Sequence, residues 1–473
     1  MSLTIYNSLT RRKENFTPIH PPHVRMYVCG ITAYDESHLG HARAAVVFDT
    51  IYRYLLYRKY DVTYVRNFTD VDDKIIKKAN DSGLSCEAVS EKYIQSYTEV
   101  MKNLGVQPPH KEPRASLHIQ EMLDLIRELE QKGFAYQVGG DVLYSVRSFQ
   151  GYGNLSHKKI DELESGARVG VDEKKKDPLD FVLWKGAKPG EPKWASPWGE
   201  GRPGWHLECS AMSMKYLGES FDIHGGGRDL IFPHHENEIA QSEAATGNPF
   251  VRYWIHNGFV NIDQEKMSKS LGNIKTVRNI LSHWPSEAVR FFLLSSHYRS
   301  PLNFNESVLD DAAEAVTRFY ETLARLKSLP AGSEPLPEMN LLSTFEKNLD
   351  DDFNTAQFIG TLFNRLRRLN SWLDKQTSVD PASRDCFFEE LQKSSTVLGI
   401  FGEDPVQFLE KRKKNSLVSS QLAPEQVESK IRERLEAKRL KDWQRADALR
   451  KELLAKGIEL RDNPDGTTTW TVK

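Results

Sequence analysis

The chain has 473 residues, 39% of them hydrophobic and 27% charged, with a formal net charge of −2. It is long enough for about three domains with separate cores. The near-neutral balance neither demands nor excludes a nucleic-acid partner, so any basic surface must be local. No stretch approaches the roughly 20 apolar residues of a membrane span, and Met1–Lys13 lacks the apolar run of a secretory signal. Cys29, Cys86, Cys209 and Cys386 are too scattered for a disulfide framework. A cytoplasmic, reducing location is expected, where a cysteine with a task is a metal ligand or a nucleophile.

Arg25–Cys29 reads as a short strand and Gly30–Ser37 as a loop. From about Gly40 to Tyr57 the apolar residues Ala44, Val47, Phe48, Ile51 and Leu55 recur at helical spacing. Val62–Val65 is a second strand, leading into Asn67-Phe68-Thr69-Asp70-Val71-Asp72-Asp73-Lys74. Strand, helix, strand in this order is a βαβ unit and predicts a parallel sheet, with ligands at the carboxyl ends of its strands. Residues from about 110 to 200 change character, with Lys174-Lys175-Lys176-Asp177-Pro178, Pro189, Pro192, Pro197, Trp184, Trp194 and Trp198. They read as an insertion of loops and a few strands, after which strands resume at Phe221–His224 and Tyr253–His256. Beyond about residue 305 two helical core stripes follow: Ala312, Val316, Phe319, Leu323 and Leu326, then Phe358, Leu362, Leu366, Leu369 and Leu373. Ser328–Pro337 is expected to be a loop, and a polar segment from about Asp404 to Pro424 precedes a small terminal unit. The expected fold class is α/β: a Rossmann-type parallel-sheet domain split by an insertion, then an α-helical bundle and a small mixed C-terminal unit.

His38-Leu39-Gly40-His41 follows a strand and opens a helix, where unpaired backbone N–H groups and the helix dipole favour phosphate. Gly40 removes a side chain from the path of a nucleotide, and two imidazoles three residues apart can donate to phosphate oxygens. Lys266-Met267-Ser268-Lys269-Ser270 supplies two ammonium groups suited to a leaving pyrophosphate. The two segments, in this order and about 225 residues apart, resemble the paired signatures of class I aminoacyl-tRNA synthetases.

Cys29 ends the first strand and Cys209 lies in Gly204-Trp205-His206-Leu207-Glu208-Cys209. Phe232-Pro233-His234-His235-Glu236-Asn237-Glu238 is expected to begin a helix, on which His234 and Glu238 share one face. With the two thiolates they make a four-ligand zinc site. Spacing equally allows His235 to pair with Glu238.

Several segments closely resemble the cysteinyl-tRNA synthetase family: Tyr27-Val28-Cys29-Gly30, Asn67 to Lys74, Gly204 to Cys209, Asp222 to Leu230, Phe232 to Glu238, Lys441 to Asp447 and Gly466 to Trp470. The resemblance implies Zn2+ held by Cys29, Cys209, His234 and Glu238 inside an amino-acid pocket, and Mg2+ accompanying ATP. A merely shaped pocket separates near-isosteres by only about 10–200-fold, whereas zinc binds a thiolate well and an aliphatic hydroxyl poorly. The substrate sulfur is expected at an open coordination position. His38, His41, Lys266 and Lys269 are the expected catalytic residues, with Gly40, His41, Asp229 and Lys269 binding ATP and Gly30, Thr69 and Trp205 lining the amino-acid pocket. His206, His224, His235 and His256 are expected around the metal and the adenylate.

From Lys430 to Arg461 there are eleven Lys/Arg against six Asp/Glu, with Trp443 and Arg445 among them. That suits phosphate contact and base stacking, and the resemblance implies anticodon reading. Asp462-Asn463-Pro464-Asp465-Gly466 is expected as a turn between two short strands. The expected divisions are 1–115 and 201–262 for the catalytic domain and 116–200 for its insertion. They continue with 263–310 for a linker carrying the lysine loop, 311–405 for the bundle and 406–473 for anticodon recognition. The expected activity is that of a cysteine–tRNA ligase acting as a monomer on L-cysteine, ATP and tRNA(Cys), with no membrane partner. A zinc hydrolase built on the same four ligands would leave the phosphate-binding segments without a purpose.

Overall fold

The computed structural model describes residues 2–159, 175–262, 265–266, 275–338, 340–419, 424–456, 458–462 and 468–472. They belong to two compact units: Met1–Glu314 with Glu338–Arg365 and Asp385–Ile400, and Ala315–Pro337 with Leu366–Arg384 and Phe401–Lys473.

The first unit is organised by four parallel strands. These are β1 (His23–Thr32), β2 (Asp61–Thr69), β3 (Phe221–Gly227) and β4 (Val251–Asn257), in spatial order β4-β3-β1-β2. Helix α1 (Leu39–Tyr57) makes the crossover from β1 to β2. Its Ala42, Ala45, Val46, Phe48, Ile51 and Leu55 are buried, as a helix covering a parallel sheet must be on one side. Register is set by apolar pairs such as Val24 with Val62 and Met26 with Ile223. From β1 the chain first turns to β2 on one side, and β3 later pairs with the other side of β1. This reversal opens a crevice at the carboxyl ends of β1 and β3, the place where open α/β sheets bind ligands.

Between β2 and β3 the chain makes a separate four-stranded antiparallel sheet from Ala135–Val138, Asp141–Tyr144, Phe181–Gly186 and Gly201–Pro203. Its Tyr144 and Trp184 are buried in one continuous cluster with Leu207, Cys209 and Met212 of helix α2 (Trp205–Leu217). The insertion therefore shares a core with the elements that carry the site. Helix α3 (Glu236–Thr246) follows β3. It begins at Glu236, later than the sequence suggested, because Ile231–His235 is an irregular turn with Phe232 extended at φ −142° and ψ 131°. His234 therefore precedes the regular helix.

A buried arginine fixes the helices behind the sheet. Arg290 donates from Nε to the Leu398 carbonyl at 2.6 Å and from Nη1 to the Leu104 carbonyl at 3.1 Å, and it pairs with buried Asp49 of α1. Asp49 also accepts from Arg53 Nε at 2.9 Å and from the Gln107 amide at 2.9 Å.

Both helical stripes read from the sequence are buried. Residues 329–338 are non-helical and lie between Glu306–Ser328 and Leu341–Leu349. The polar segment after Asp404 is helical over Pro405–Ser419. Phe408 explains the docking of that helix: its ring stacks on Tyr320 with centroids 3.8 Å apart. The terminal unit comprises helices Pro424–Arg439 and Trp443–Ala455 and an antiparallel pair, Ile458–Asp462 with Thr468–Val472. Val427, Ile431, Leu453, Ile458, Leu460 and Trp470 form its core. The turn expected at 462–466 has Asp462 in the first strand, and 463–467 lie outside the described residues. Among the described residues, no helix is long and apolar enough to cross a membrane.

Arg290→Met removes one partner of a buried pair and leaves Asp49 short of a counter-charge. It should lower the unfolding free energy of this unit by about 3–5 kcal/mol, read from urea denaturation followed by circular dichroism. A loss below about 1 kcal/mol would show that Arg53 alone satisfies Asp49.

Candidate active site

Helix α1 aims its N-terminus into the crevice. His38 is its N-cap, with Nδ1 accepting from the Gly40 amide at 3.1 Å, while the His38 amide donates to His41 Nδ1 at 3.4 Å. This reciprocal cap satisfies two backbone N–H groups that a helix start leaves open. It also stacks the two rings, with centroids 3.8 Å apart. The structure gives Gly40 a second reason to be glycine: a Cβ there would stand 2.9 Å from Cε1 of His38 and press the ring off its cap. His38, Gly40 and His41 line a cleft of about 340 Å³ together with Cys29, Gly30, Trp205 and Asp229. Arg66 and Lys74 add positive charge to the same walls, so the cleft suits a polyanion.

At the inner end of the cleft, Cys29 Sγ lies 3.6 Å from Cys209 Sγ and 3.6 Å from Glu238 Oε1. His234 Nε2 is 3.0 Å from the same Glu238 oxygen. The four ligand atoms all lie within 4.8 Å of one another. A tetrahedral zinc with Zn–S of ~2.3 Å and Zn–N of ~2.0–2.1 Å needs ligand separations of roughly 3.3–3.8 Å, so the donor set fits that ion. The structure brings a second set together too: Cys29, His224, His235 and Glu238. Cys29 Sγ is 3.3 Å from His235 Nε2, and His224 Nε2 is 3.2 Å from Glu238 Oε2.

Outer contacts orient both histidines. His234 Nδ1 is 2.8 Å from His206 Nδ1, and Trp205 stacks on the His234 ring at 4.2 Å. His235 Nδ1 is 2.8 Å from His256 Nε2. Burial holds His206 and His256 down to about 3, so both stay neutral. A neutral His206 can accept at Nδ1, which fixes the proton of His234 on Nδ1 and turns Nε2 toward the thiols. Burial opposes charge on Glu238, yet His224 and His234 beside it bring its carboxyl down to about 2. Burial likewise opposes charge on His234, but Glu238 and Cys209 raise it to about 10. Cys209 is brought down to about 6 against its burial, by the hydrogen bond from Cys29 and by His234. Burial and the neighbouring Cys209 push the Cys29 thiol up.

Trp205, the first residue of α2, is part-exposed on the cleft wall. Thr69, expected on the amino-acid pocket, is buried, with its hydroxyl donating to Glu208 Oε2 at 2.7 Å. Asp229 lies in the turn after β3 and lines the cleft. Lys266 ends a two-residue strand, Glu265–Lys266, paired with Asn261 and Ile262. Lys269 lies outside the described residues.

Two residues were not assigned roles from the sequence. Asn67 Oδ1 accepts from the Gly30 amide at 2.9 Å, and a Cβ on Gly30 would meet the Asn67 carbonyl at 1.6 Å. That close approach holds β1 and β2 together where Cys29 emerges. Buried Arg43 of α1 donates to the carbonyls of Phe259, His297, Tyr298 and Ser300. An arginine inside an otherwise apolar helix face is the sequence signal for such a clamp. In the terminal unit Trp443 is 61% exposed, and Arg445 pairs with Glu433.

A family model for the class I (C) tRNA synthetase catalytic domain matches residues 15–314, and one for the DALR domain matches 344–402. The cysteine–tRNA ligase of Geobacter metallireducens is 51% identical over 490 residues, with 100% of each chain covered. That of Syntrophotalea carbinolica is 51% identical over 482 residues, again with 100% of each covered. Among solved structures, Mycobacterium tuberculosis methionyl-tRNA synthetase in complex with methionyl-adenylate aligns at TM-score 0.59 and 16% identity, over 85% of this chain and 95% of that one. That likeness speaks to fold alone. The cleft at the strand ends, the stacked histidine cap and full-length relatives at half identity lead to one statement: the chain belongs to the cysteine–tRNA ligase family of class I aminoacyl-tRNA synthetases.

Proposed function

We propose that the protein joins L-cysteine to tRNA(Cys) in two steps, with one zinc ion selecting the substrate thiolate. The observation that supports this most is the Cys29, Cys209, His234 and Glu238 cluster at the inner end of the cleft that holds the α1 N-terminus. The carboxylate of cysteine attacks the α-phosphate of Mg2+-ATP, giving cysteinyl-adenylate and pyrophosphate. The terminal ribose hydroxyl of the tRNA then takes the cysteinyl group and AMP leaves. His38 and His41 stabilise charge at the phosphates, Gly40 keeps the His38 ring in place, and Asp229 accepts from the ATP ribose. Lys266 and Lys269 receive the leaving pyrophosphate. Gly30, Thr69 and Trp205 bound the amino-acid pocket, with the Thr69 hydroxyl set by Glu208. Positioning and electrostatics carry the rate, with no covalent enzyme intermediate.

Zinc bound there would favour a thiolate over serine's hydroxyl, a distinction that shape alone makes poorly. Two thiolates make the first donor set the softer of the two and the better match to zinc. The His206 contact, which turns His234 Nε2 inward, supports the same choice. Four unpaired cysteines suit a reducing cytoplasm. We take the chain as a monomer with domain divisions as given from the sequence, and with the terminal unit reading the anticodon through Trp443.

Two measurements check this reading. Metal analysis of purified protein should give one zinc per chain, lost in Cys209→Ala and His234→Ala and retained in His235→Ala. Retention in His234→Ala with loss in His235→Ala would assign the other donor set. Gly40→Ala should reduce cysteine-dependent ATP–pyrophosphate exchange about tenfold or more through displacement of the His38 ring, with thermal stability nearly unchanged. Full exchange activity would show that the His38 cap is merely structural.

A further inference from the structure

A second pocket lies behind the turn that follows β3. It measures about 460 Å³ and is lined by Arg11, Arg228, Arg299, Ser8, Ser156 and His256 among others. Arg11 and Ser8 come from the N-terminal hairpin, Thr4–Asn7 paired with Arg12–Asn15. Ser156 comes from the insertion, between its strands Asp141–Tyr144 and Phe181–Gly186, and Arg228 from the turn itself. Three guanidinium groups line it, and no carboxylate is among the lining residues. Arg299 is held by buried Asp352, with Nε 2.7 Å from Oδ2. Arg11 and Arg228 are exposed, and among the described residues Arg11 makes a single long contact, 3.5 Å, to the Ser156 carbonyl. Ser156 Oγ is buried without a hydrogen-bond partner among the described residues. Ser8 Oγ is set by His256 Nδ1 at 2.8 Å.

Two exposed guanidinium groups, Arg11 and Arg228, converging with Arg299 and two hydroxyls make a site for a tetrahedral oxyanion, although Arg299 already has Asp352 as its counter-charge. The pocket is poorly built for a base: the Arg299 guanidinium already covers one face of Tyr6, 4.3 Å from its centroid. It would therefore read phosphate without stacking a nucleobase. Its position indicates whose phosphate. Gly227, Asp229 and Leu230 face the ATP cleft, while Arg228 and Ile231 face this pocket, so one turn separates the two. An RNA strand that reaches the adenylate over this turn would bring backbone phosphates to the pocket.

We propose that the Arg11, Arg228 and Arg299 pocket binds a backbone phosphate of the RNA acceptor strand and so positions its 3′ end for the transfer step. The proposal rests on the family's action on tRNA and goes beyond it in assigning a site.

The test uses the full-length protein and compares the two half-reactions. Arg11→Gln should raise KM for tRNA about fivefold to tenfold and flatten its salt dependence by about 0.7 in slope. The Arg11→Gln/Arg228→Gln double variant should extend both effects. Arg11→Lys, which restores the charge, and the exchange reaction without RNA in every variant should each stay within about twofold of wild type. The exchange reaction also reports correct folding and an intact ATP cleft. A double variant with unchanged tRNA KM and salt slope would overturn the proposal. So would a parallel fall in exchange and transfer. A third arm measures thermal stabilisation by inorganic phosphate. Stabilisation that Arg11→Gln abolishes while tRNA KM stays unchanged would assign the pocket to a free anion, and overturn the RNA reading.

Discussion

The site depends on the burial of one carboxylate. Glu238 is fully enclosed, and an isolated buried carboxylate would take up a proton rather than stay charged. It stays charged because His234 and His224 approach its two oxygens at 3.0 and 3.2 Å and two cysteines complete its surroundings. Each of these groups is delivered by a different element: Cys29 by β1, His224 by β3, Cys209 by α2, and Glu238 by α3. The cluster therefore exists only when the parallel sheet, the inserted sheet behind α2 and the turn before α3 are all in place. A bound zinc would take over the role of counter-charge that His234 fills in its absence.

The same strand ends set the phosphate chemistry. The polarity of the βαβ unit puts the α1 N-terminus beside β1, so a helix start and a metal cluster share one cleft without any dedicated loop. Arg43 joins α1 to Phe259 and to the 297–300 turn through four carbonyls. Phe259 immediately precedes the strand Val260–Ile262, which pairs with Glu265–Lys266. Helix α1 is thus anchored to the segment that leads into Lys266.

The sequence was most legible where the signal is local. The β1, α1, β2 unit follows from strand and helix periodicities, and His38 to His41 marks a helix start because a cap is a matter of neighbouring residues. Cys29, Cys209 and Glu238 could be named as candidate ligands from the sequence. Spacing was weak support, because Cys29 and Cys209 meet through tertiary packing, and the family resemblance strengthened the choice. The sequence left His234 and His235 open because α3 starts two residues later than the pattern suggests, after an extended Phe232, and both imidazoles end up facing Cys29 or Glu238. Alternation along β2 tells that Thr69 is buried but not which neighbour its hydroxyl meets, here Glu208. Phe408 turned a polar stretch into a docked helix through a single aromatic contact. Arg11, Arg228 and Arg299 lie on three distant segments and share no spacing that a sequence could betray.

The central claim is that selection of cysteine resides in a metal held by Cys29, Cys209, His234 and Glu238. The most direct measurement is ATP–pyrophosphate exchange with cysteine and with serine, in protein as purified, after zinc removal and after zinc is restored. The account predicts that removal lowers the cysteine reaction about 100-fold or more, abolishes the preference over serine, and that zinc recovers both. A zinc-free protein that still prefers cysteine over serine by its original ratio would contradict it.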